Sequence, residues 1–394
     1  MNAVNEIREN VIRDLSFEED ISEEELYLKI DRRVAEYARE RHLSLKSMEE
    51  LRKAVFNGIR GLDILEEPLC DDSVTEIMIN GNGDIFLERS GKMEIWNKSF
   101  DSESKLQDII QKIVGNVNRS VNEASPIADA RLPDGSRINV ILPPVAIDGP
   151  TVTIRKFGKN PVTMEKMIES GTITEEAAEF LKTAVMCRYN MLISGGTGSG
   201  KTTFLNALSA FIPEGERVIT IEDSAELKIR NVRNLVRLEC RNKSSDEVKE
   251  IKIRDLIRAS LRMRPDRIIV GEVRGAEVID MLSAMNTGHD GSLSTAHGNS
   301  IPDMLDRLAT MTLMGLDIPM QAVRQQIAGA LDIMVHLARF SDGTRHVVEI
   351  SEIGRVKNGE IEVRPLYSYD DGELRRTENE LENTAKIERY GKKT

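Results

Sequence analysis

The chain predicts an α/β fold: a domain built on a largely parallel sheet, preceded by a smaller α/β domain and an N-terminal helical bundle. Three observations carry this. Residues 191–194 are a short apolar run that enters a glycine-rich turn and then a helical pattern. From about residue 162 such runs alternate with helical stretches, at 217–222, 235–240, 267–271 and 292–296; this is the pattern of βα crossovers. Between residues 74 and 96 the apolar period is two instead, with Asn80-Gly81 and Ser90-Gly91 as turns, which predicts an antiparallel meander.

Taken in order, residues 1–65 read as helices. Val4, Ile7, Val11 and Leu15 recur at helical spacing. Ser22-x-x-Glu25 is a capping box ahead of the stripe Leu26, Ile30, Val34 and Ala38, and Ser47-x-x-Glu50 is expected to open a third helix. The charges between the stripes are a solvated face, or a surface for a partner. Residues 66–157 form the second region: the meander, an amphipathic helix on Leu106, Ile109, Ile110, Ile113 and Val117, a hairpin turning through 131–137, and a strand at 151–155. Residues 158–163 are the expected hinge and 164–375 the large α/β domain, whose last hairpins from residue 333 onward add antiparallel strands. The charged stretch 376–394 is expected to fray.

The glycine-rich turn carries the chemistry. Gly195, Gly196, Thr197, Gly198, Ser199, Gly200, Lys201, Thr202 and Thr203 fit the G-x-x-x-x-G-K-[ST] template of a P-loop. A phosphate chain needs backbone N–H donors at close range, and residues without side chains allow that approach. Lys201 would reach the β- and γ-phosphates of ATP, Thr202 would hold Mg²⁺ through its hydroxyl, and the following helix would point its positive end at the anion.

Hydrolysis needs a carboxylate beside that loop to act on water and on Mg²⁺. Two strand ends supply candidates. Residues 218–221 run into Glu222 and Asp223 with Glu226 beyond, and residues 268–271 run into Glu272. Ligands in open α/β sheets sit at such carboxyl ends, although acidic residues there also cap helices. Gly271 stands where a metal-ligating Asp often lies, which favours Glu272 as the residue acting on water. His289 and His297 fall in one stretch of 287–297, and a strand there would lie next to the Glu272 strand. A γ-phosphate sensor suits that position; a structural role for either His stays open. Arg258, Arg262 and Arg264 are an ion-pair row or solvated face. Arg131, Arg137 and Arg155 lie in the preceding domain, where arginines can still serve a transferred phosphate.

Composition narrows the classes. Over 394 residues there are 54 basic and 66 acidic side chains, a formal charge of -12, which argues against a surface dominated by nucleic-acid phosphates. Aromatics are 4% with one Trp, too few for a base-stacking groove. Cys70, Cys187 and Cys240 lie far apart and suggest neither zinc nor a disulfide framework. No apolar run has the length of a membrane span, and the start lacks a signal peptide's regions.

Together these residues resemble the secretion ATPases of type II, type IV secretion and type IV pilus systems, over about residues 70–370. The resemblance rests on 195–203, the acidic box 220–227, Arg264-Pro265-Asp266 before Glu272-Val273-Arg274-Gly275, and the histidine box ending at His297. Residues 126–137 and 154–157 are most similar to the CpaF/TadA group of tight-adherence (Tad, Flp) pilus motors. The resemblance implies a RecA-like P-loop NTPase domain behind a PAS-like domain, a homohexameric ring, and ATP with Mg²⁺ between the two domains. It also implies that Arg131, Arg137 and Arg155 help close the site, that Glu226 and Glu272 act on Mg²⁺ and water, and that His297 senses the γ-phosphate. Arg119 and Arg274 match more loosely. The type II members' tetracysteine module is absent. The implied setting is the cytoplasmic face of the inner membrane, reached through platform proteins, without direct nucleic-acid contact. The alternatives are a conjugative or effector secretion motor, a nucleic-acid translocase, and an ATP-binding scaffold without turnover.

Overall fold

The computed structural model describes residues 3–15, 21–81, 83–89, 91–115, 121–132, 134–156, 162–241 and 249–391. Arg119 and residues 158–161 of the expected hinge lie outside them. The chain divides into two compact units, Met1–Lys159 and Asn160–Thr394.

The first unit opens with helices α1 (Ala3–Leu15), α2 (Glu23–Arg41) and α3 (Leu45–Ile59). Their apolar stripes close on one another: Ile7, Val11, Leu26, Ile30, Val34 and Val55 are buried together. Ser22 caps α2 in a full capping box, its hydroxyl accepting from the Glu25 N–H at 3.2 Å while Glu25 accepts from the Ser22 N–H. α3 begins earlier than its sequence suggests. Ser44, not Ser47, is the N-cap, and it accepts from the Ser47 N–H at 3.2 Å. Two serines three apart offer equivalent hydroxyls, and the earlier one lengthens the helix by a turn.

A short helix α4 (Glu66–Cys70) leads to strands β1 (Val74–Asn80), β2 (Asp84–Arg89) and β3 (Lys92–Trp96), helix α5 (Glu103–Gly115), and strands β4 (Ile127–Arg131), β5 (Arg137–Ile141) and β6 (Thr151–Arg155). The sheet order is β3-β2-β1-β6-β5-β4, antiparallel throughout. Alternate residues Ile77, Ile79, Ile138, Val140, Val152 and Ile154 face one side, where α5 covers them with Leu106, Ile109, Ile110 and Ile113.

The second unit runs α6 (Met164–Glu169), α7 (Glu175–Met186), β7 (Met191–Gly195), α8 (Lys201–Ser209), β8 (Arg217–Glu222), β9 (Asn234–Glu239), α9 (Ile253–Ser260), β10 (Arg267–Val270), α10 (Val278–Asn286), β11 (Leu293–His297), α11 (Ile301–Leu313) and α12 (Met320–Ala330). Strands β12 (Ile333–Arg339), β13 (Arg345–Lys357), β14 (Glu360–Asp370) and β15 (Glu373–Arg376) and helix α13 (Ala385–Tyr390) complete it. The sheet order is β15-β14-β13-β12-β7-β11-β10-β8-β9. The segment at 333 is antiparallel to the next strand, β13, as its hairpin suggested, but its other edge differs. There β12 pairs in parallel with β7, because α12 carries the chain back across the sheet before it, while the pairs β12–β13, β13–β14 and β14–β15 are antiparallel. β7 is buried along its whole length between two cores, one built with α6 to α8 and the other with α9 to α12.

The C-terminal stretch does not fray over its described residues. The Tyr189 hydroxyl donates to the Asn383 carbonyl, and Glu352 accepts the N–H groups of Glu382 and Asn383 at 3.0 and 2.8 Å. Lys386 reaches Asp332 at 2.7 Å and Asp290 at 2.8 Å, while Leu381, Ile387 and Tyr390 pack on the core. Charge density in the sequence hid these specific partners.

Candidate phosphate-binding and hydrolysis site

The site grows from the carboxyl end of β7. Gly195 has φ 155°, and a Cβ there would fall 2.4 Å from the Leu337 carbonyl oxygen on neighbouring β12 and 2.6 Å from Ser199 Oγ. The loop's entry therefore fits against β12 because this residue has no side chain. Gly196, Thr197, Gly198 and Ser199 turn the chain, with Ser199 Oγ donating to the Gly196 carbonyl at 2.9 Å. Gly200, at φ 92°, is the N-cap of α8, and Lys201, Thr202 and Thr203 form that helix's first turn. Helix N-terminal N–H groups and the macrodipole thus face the loop.

Lys201 is buried. Its ammonium donates to the Gly195 and Gly196 carbonyls at 3.0 and 2.8 Å and lies 3.3 Å from His297 Nδ1. Burial holds its pKa below the usual value, with Glu272 opposing that shift and Arg274 adding to it. An ammonium has donors only, so His297 Nδ1 must be the acceptor and the proton of the neutral ring sits on Nε2. Burial, then the Lys201 charge, lowers the His297 pKa, which is consistent with that neutral form.

His297 ends β11 in the strand position next to β10, beyond whose end Glu272 lies. Its Nε2 is 2.9 Å from Glu272 Oε1, but off the axis of a hydrogen bond, so this buried oxygen lacks a hydrogen-bond partner among the described residues. Glu272 Oε2 accepts from the Arg274 guanidinium at 2.6 Å. The 271–273 segment is fixed to β11 by Thr295, whose hydroxyl donates to the Gly271 carbonyl at 2.7 Å and whose carbonyl accepts the Val273 N–H at 2.9 Å.

Glu222 ends β8 and is 3% exposed. Its Oε2 accepts the backbone N–H groups of Glu226 and Leu227 at 2.6 and 2.8 Å, while Oε1 is buried without a partner. Burial raises its pKa against those two bonds. Glu222 thus shapes the turn that carries Glu226, which is half-buried. It also explains Gly271, because a Cβ there would lie 2.9 Å from Glu222 Cγ. The space an Asp would need on β10's end is filled from β8.

Sequence reasoning names Arg131, Arg137 and Arg155 separately; the first unit's sheet aligns them. Arg131 stands directly opposite Arg137 across β4–β5, and Arg137 opposite Arg155 across β5–β6, with Glu76 next in the row and 3.4 Å from Arg155. Like charges directly opposite are destabilising, so strand pairing does not account for this row. His289 takes the structural reading: its Nδ1 lies 3.2 Å from the Ala284 carbonyl. Arg258 pairs with Asp280 at 2.8 Å, an ion-pair role.

Several residues at the site went unnamed. Arg345 Nε donates to the Gly198 carbonyl at 2.8 Å from β13, and His336 Nδ1, on β12 beside β7, meets Ser194 Oγ at 2.9 Å. Asn299, Asp303 and Arg307 line a cavity with Gly196, Thr197 and His297. Arg345 and His336 lie more than 140 residues from their partners, so no local pattern announces them.

Residues 60–361 match the family model described as type II/IV secretion system protein. The chain is 44% identical over 262 residues to an uncharacterised protein of Methanocaldococcus jannaschii, a match covering 64% of this chain and 36% of that protein, so it spans about a third of that relative. It is 31% identical over 321 residues to the type IV secretion system protein VirB11 of Brucella suis biovar 1, covering 73% of this chain and 88% of that one. The solved structure of the Legionella pneumophila ATPase DotB superposes with a TM-score of 0.53 at 20% identity, covering 73% of this chain and 79% of that one, and shares the fold. The chain therefore belongs to the type II/IV secretion system protein family, whose VirB11-like members are P-loop ATPases. Among the described residues no helix is long and apolar enough to cross a membrane.

Proposed function

We propose that this chain hydrolyses ATP and, as a homohexameric ring, drives assembly of a Tad/Flp-type pilus or a related secretion machine. The observation that carries the enzymatic part is the contiguity Lys201–His297–Glu272, which joins the phosphate loop to a carboxylate with an unpartnered oxygen. Water attacks the γ-phosphorus in line, forming one P–O bond as the bond to the β–γ bridging oxygen breaks, and ADP leaves. Glu272 Oε1 orients that water and takes its proton. Lys201 balances charge on the β- and γ-oxygens, and His297 donates from Nε2 toward the γ-phosphate.

The residues fit Mg²⁺·ATP: Thr202 stands on the first turn of α8, and Glu222 and Glu272 each bury a carboxylate oxygen without a partner. Thr202, Glu226 and Glu272 would hold the ion, directly or through water, and when bound it withdraws charge from the phosphates. Among the described residues no cluster of three or more His, Cys, Asp or Glu could hold a metal by itself, so the substrate's phosphates would complete the coordination.

Arg131, Arg137 and Arg155 close the site as the first unit moves, in the manner of arginine fingers, whose removal costs on the order of 10³–10⁵ in rate. Work passes to inner-membrane platform proteins from the cytoplasmic face, without direct nucleic-acid contact. A second reading, a type IV secretion or conjugative motor, is favoured by the similarity to VirB11.

Lys201→Ala should abolish Mg²⁺-dependent phosphate release while the protein stays folded; unchanged release would refute the assigned site. Co-purification with a pilus platform protein favours the pilus reading, and DNA-stimulated turnover would move it toward translocation.

A further inference from the structure

Arg274 follows Glu272 by two residues in the segment between β10 and α10. We propose that Arg274 is the positioning residue for Glu272: it holds Oε2 so that Oε1 is the oxygen turned to the attacking water. This rests on the ATPase reading above. The Arg274 guanidinium donates to Oε2 at 2.6 Å, while Oε1 is buried beside His297 Nε2 at 2.9 Å and has no hydrogen-bond partner among the described residues. A carboxylate on a flexible side chain rotates freely unless one oxygen is tied, and a charge-assisted bond is the tie that costs least misalignment.

The tie is itself anchored. Glu277 Oε1 accepts the backbone N–H groups of Arg274 and Gly275 at 2.6 and 2.8 Å, fixing the loop just before α10. Thr295 fixes the other side of Glu272 through Gly271 and Val273. The Arg274 side chain is 65% exposed, so it fills no core, and an exposed ion pair of this kind adds little to stability. Its effect therefore falls on the orientation of Glu272. Asp223 and Glu226 also act on the guanidinium, after the Glu272 bond that chiefly raises its pKa, and keep this cation in an acidic setting at the site.

The test is a double-mutant cycle read by single-turnover phosphate release, with nucleotide affinity measured in parallel. Arg274→Ala should slow release at least tenfold while ADP and a non-hydrolysable ATP analogue bind within twofold of wild type. Arg274→Lys should restore part of the rate. In a Glu272→Gln background, Arg274→Ala should change nothing further, since both act through one carboxylate. The same fold-loss in both backgrounds, an unchanged rate, or an equal loss of nucleotide affinity would overturn the proposal. Wild type without Lys201-dependent release would sink the ATPase reading as well, whereas Lys201-dependent release with additive variants sinks the role of Arg274 alone.

Discussion

A Cβ on Gly271 would stand 2.9 Å from Glu222 Cγ, so the two residues share one space at adjacent strand ends. Glu222 cannot yield it easily, because its carboxylate holds the Glu226 and Leu227 N–H groups. Gly271→Ala should cost about 1–3 kcal/mol by overpacking, and Gly271→Asp more, with loss of turnover. Thermal unfolding and steady-state ATPase rates check this. A Gly271→Asp variant with higher activity would refute the account.

Glu222→Ala removes the acceptor for two backbone donors. Each orphaned group costs about 1–3 kcal/mol, so a loss of about 2–4 kcal/mol is expected after partial rehydration. Glu222→Gln keeps an acceptor and should lose less. Urea titration of the two variants separates them. If Glu222 instead served chiefly as the base, Gln would be stable and inactive.

His297 gives a pH dependence whose sign follows from its lowered pKa. The unfolded chain takes up a proton near pH 6.5 where the folded chain does not, because burial and Lys201 disfavour the imidazolium. Below about pH 6.5 the unfolded state binds more protons, so this contribution is present above that pH and is lost as pH falls through it. His297→Asn should flatten the fall in melting temperature between pH 7 and 5.5. His336, also held below its usual pKa by burial, contributes in the same sense and remains in that variant.

Removing residues after 378 strips Glu352 and Asp332 of their partners on the tail. Asp332 is half-buried, its pKa raised by desolvation against the Lys386 charge. Breaking a fully buried pair costs about 3–5 kcal/mol and this half-buried one less, about 2–3 kcal/mol, which in a unit of this size lowers the melting temperature by roughly 5–10 °C. Lys386→Met should reproduce much of the loss. Calorimetry that finds the truncated chain as stable as the full one would show the tail to be unimportant.

Arg137→Ala should lower ATP turnover at least a hundredfold while the first unit stays folded. Light scattering with an ATP analogue tests whether assembly survives. Turnover at the wild-type rate would remove the arginine row from the mechanism.

Much of this was legible in residue order. The P-loop, the carboxylates at two strand ends and His297 were readable because βα repetition places strand ends on one edge, so local patterns carry long-range meaning. Ser44, β12's parallel pairing with β7 and the anchored tail were not. Ser44 competes with a second serine three residues on; β12 depends on the path of α12; the tail depends on Glu352, Asp332 and Tyr189, all distant in sequence.

By itself the sequence determined the elements, the phosphate loop and its family, since helix periodicity, strand runs and glycine spacing act over a few residues. Tertiary structure alone decided what each carboxylate touches. It turned Glu222 into a backbone anchor and left Glu272 facing His297, because hydrogen-bond partners and buried space are set by neighbouring strands. It also gathered Arg131, Arg137 and Arg155 into one cross-strand row, which register fixes and spacing does not.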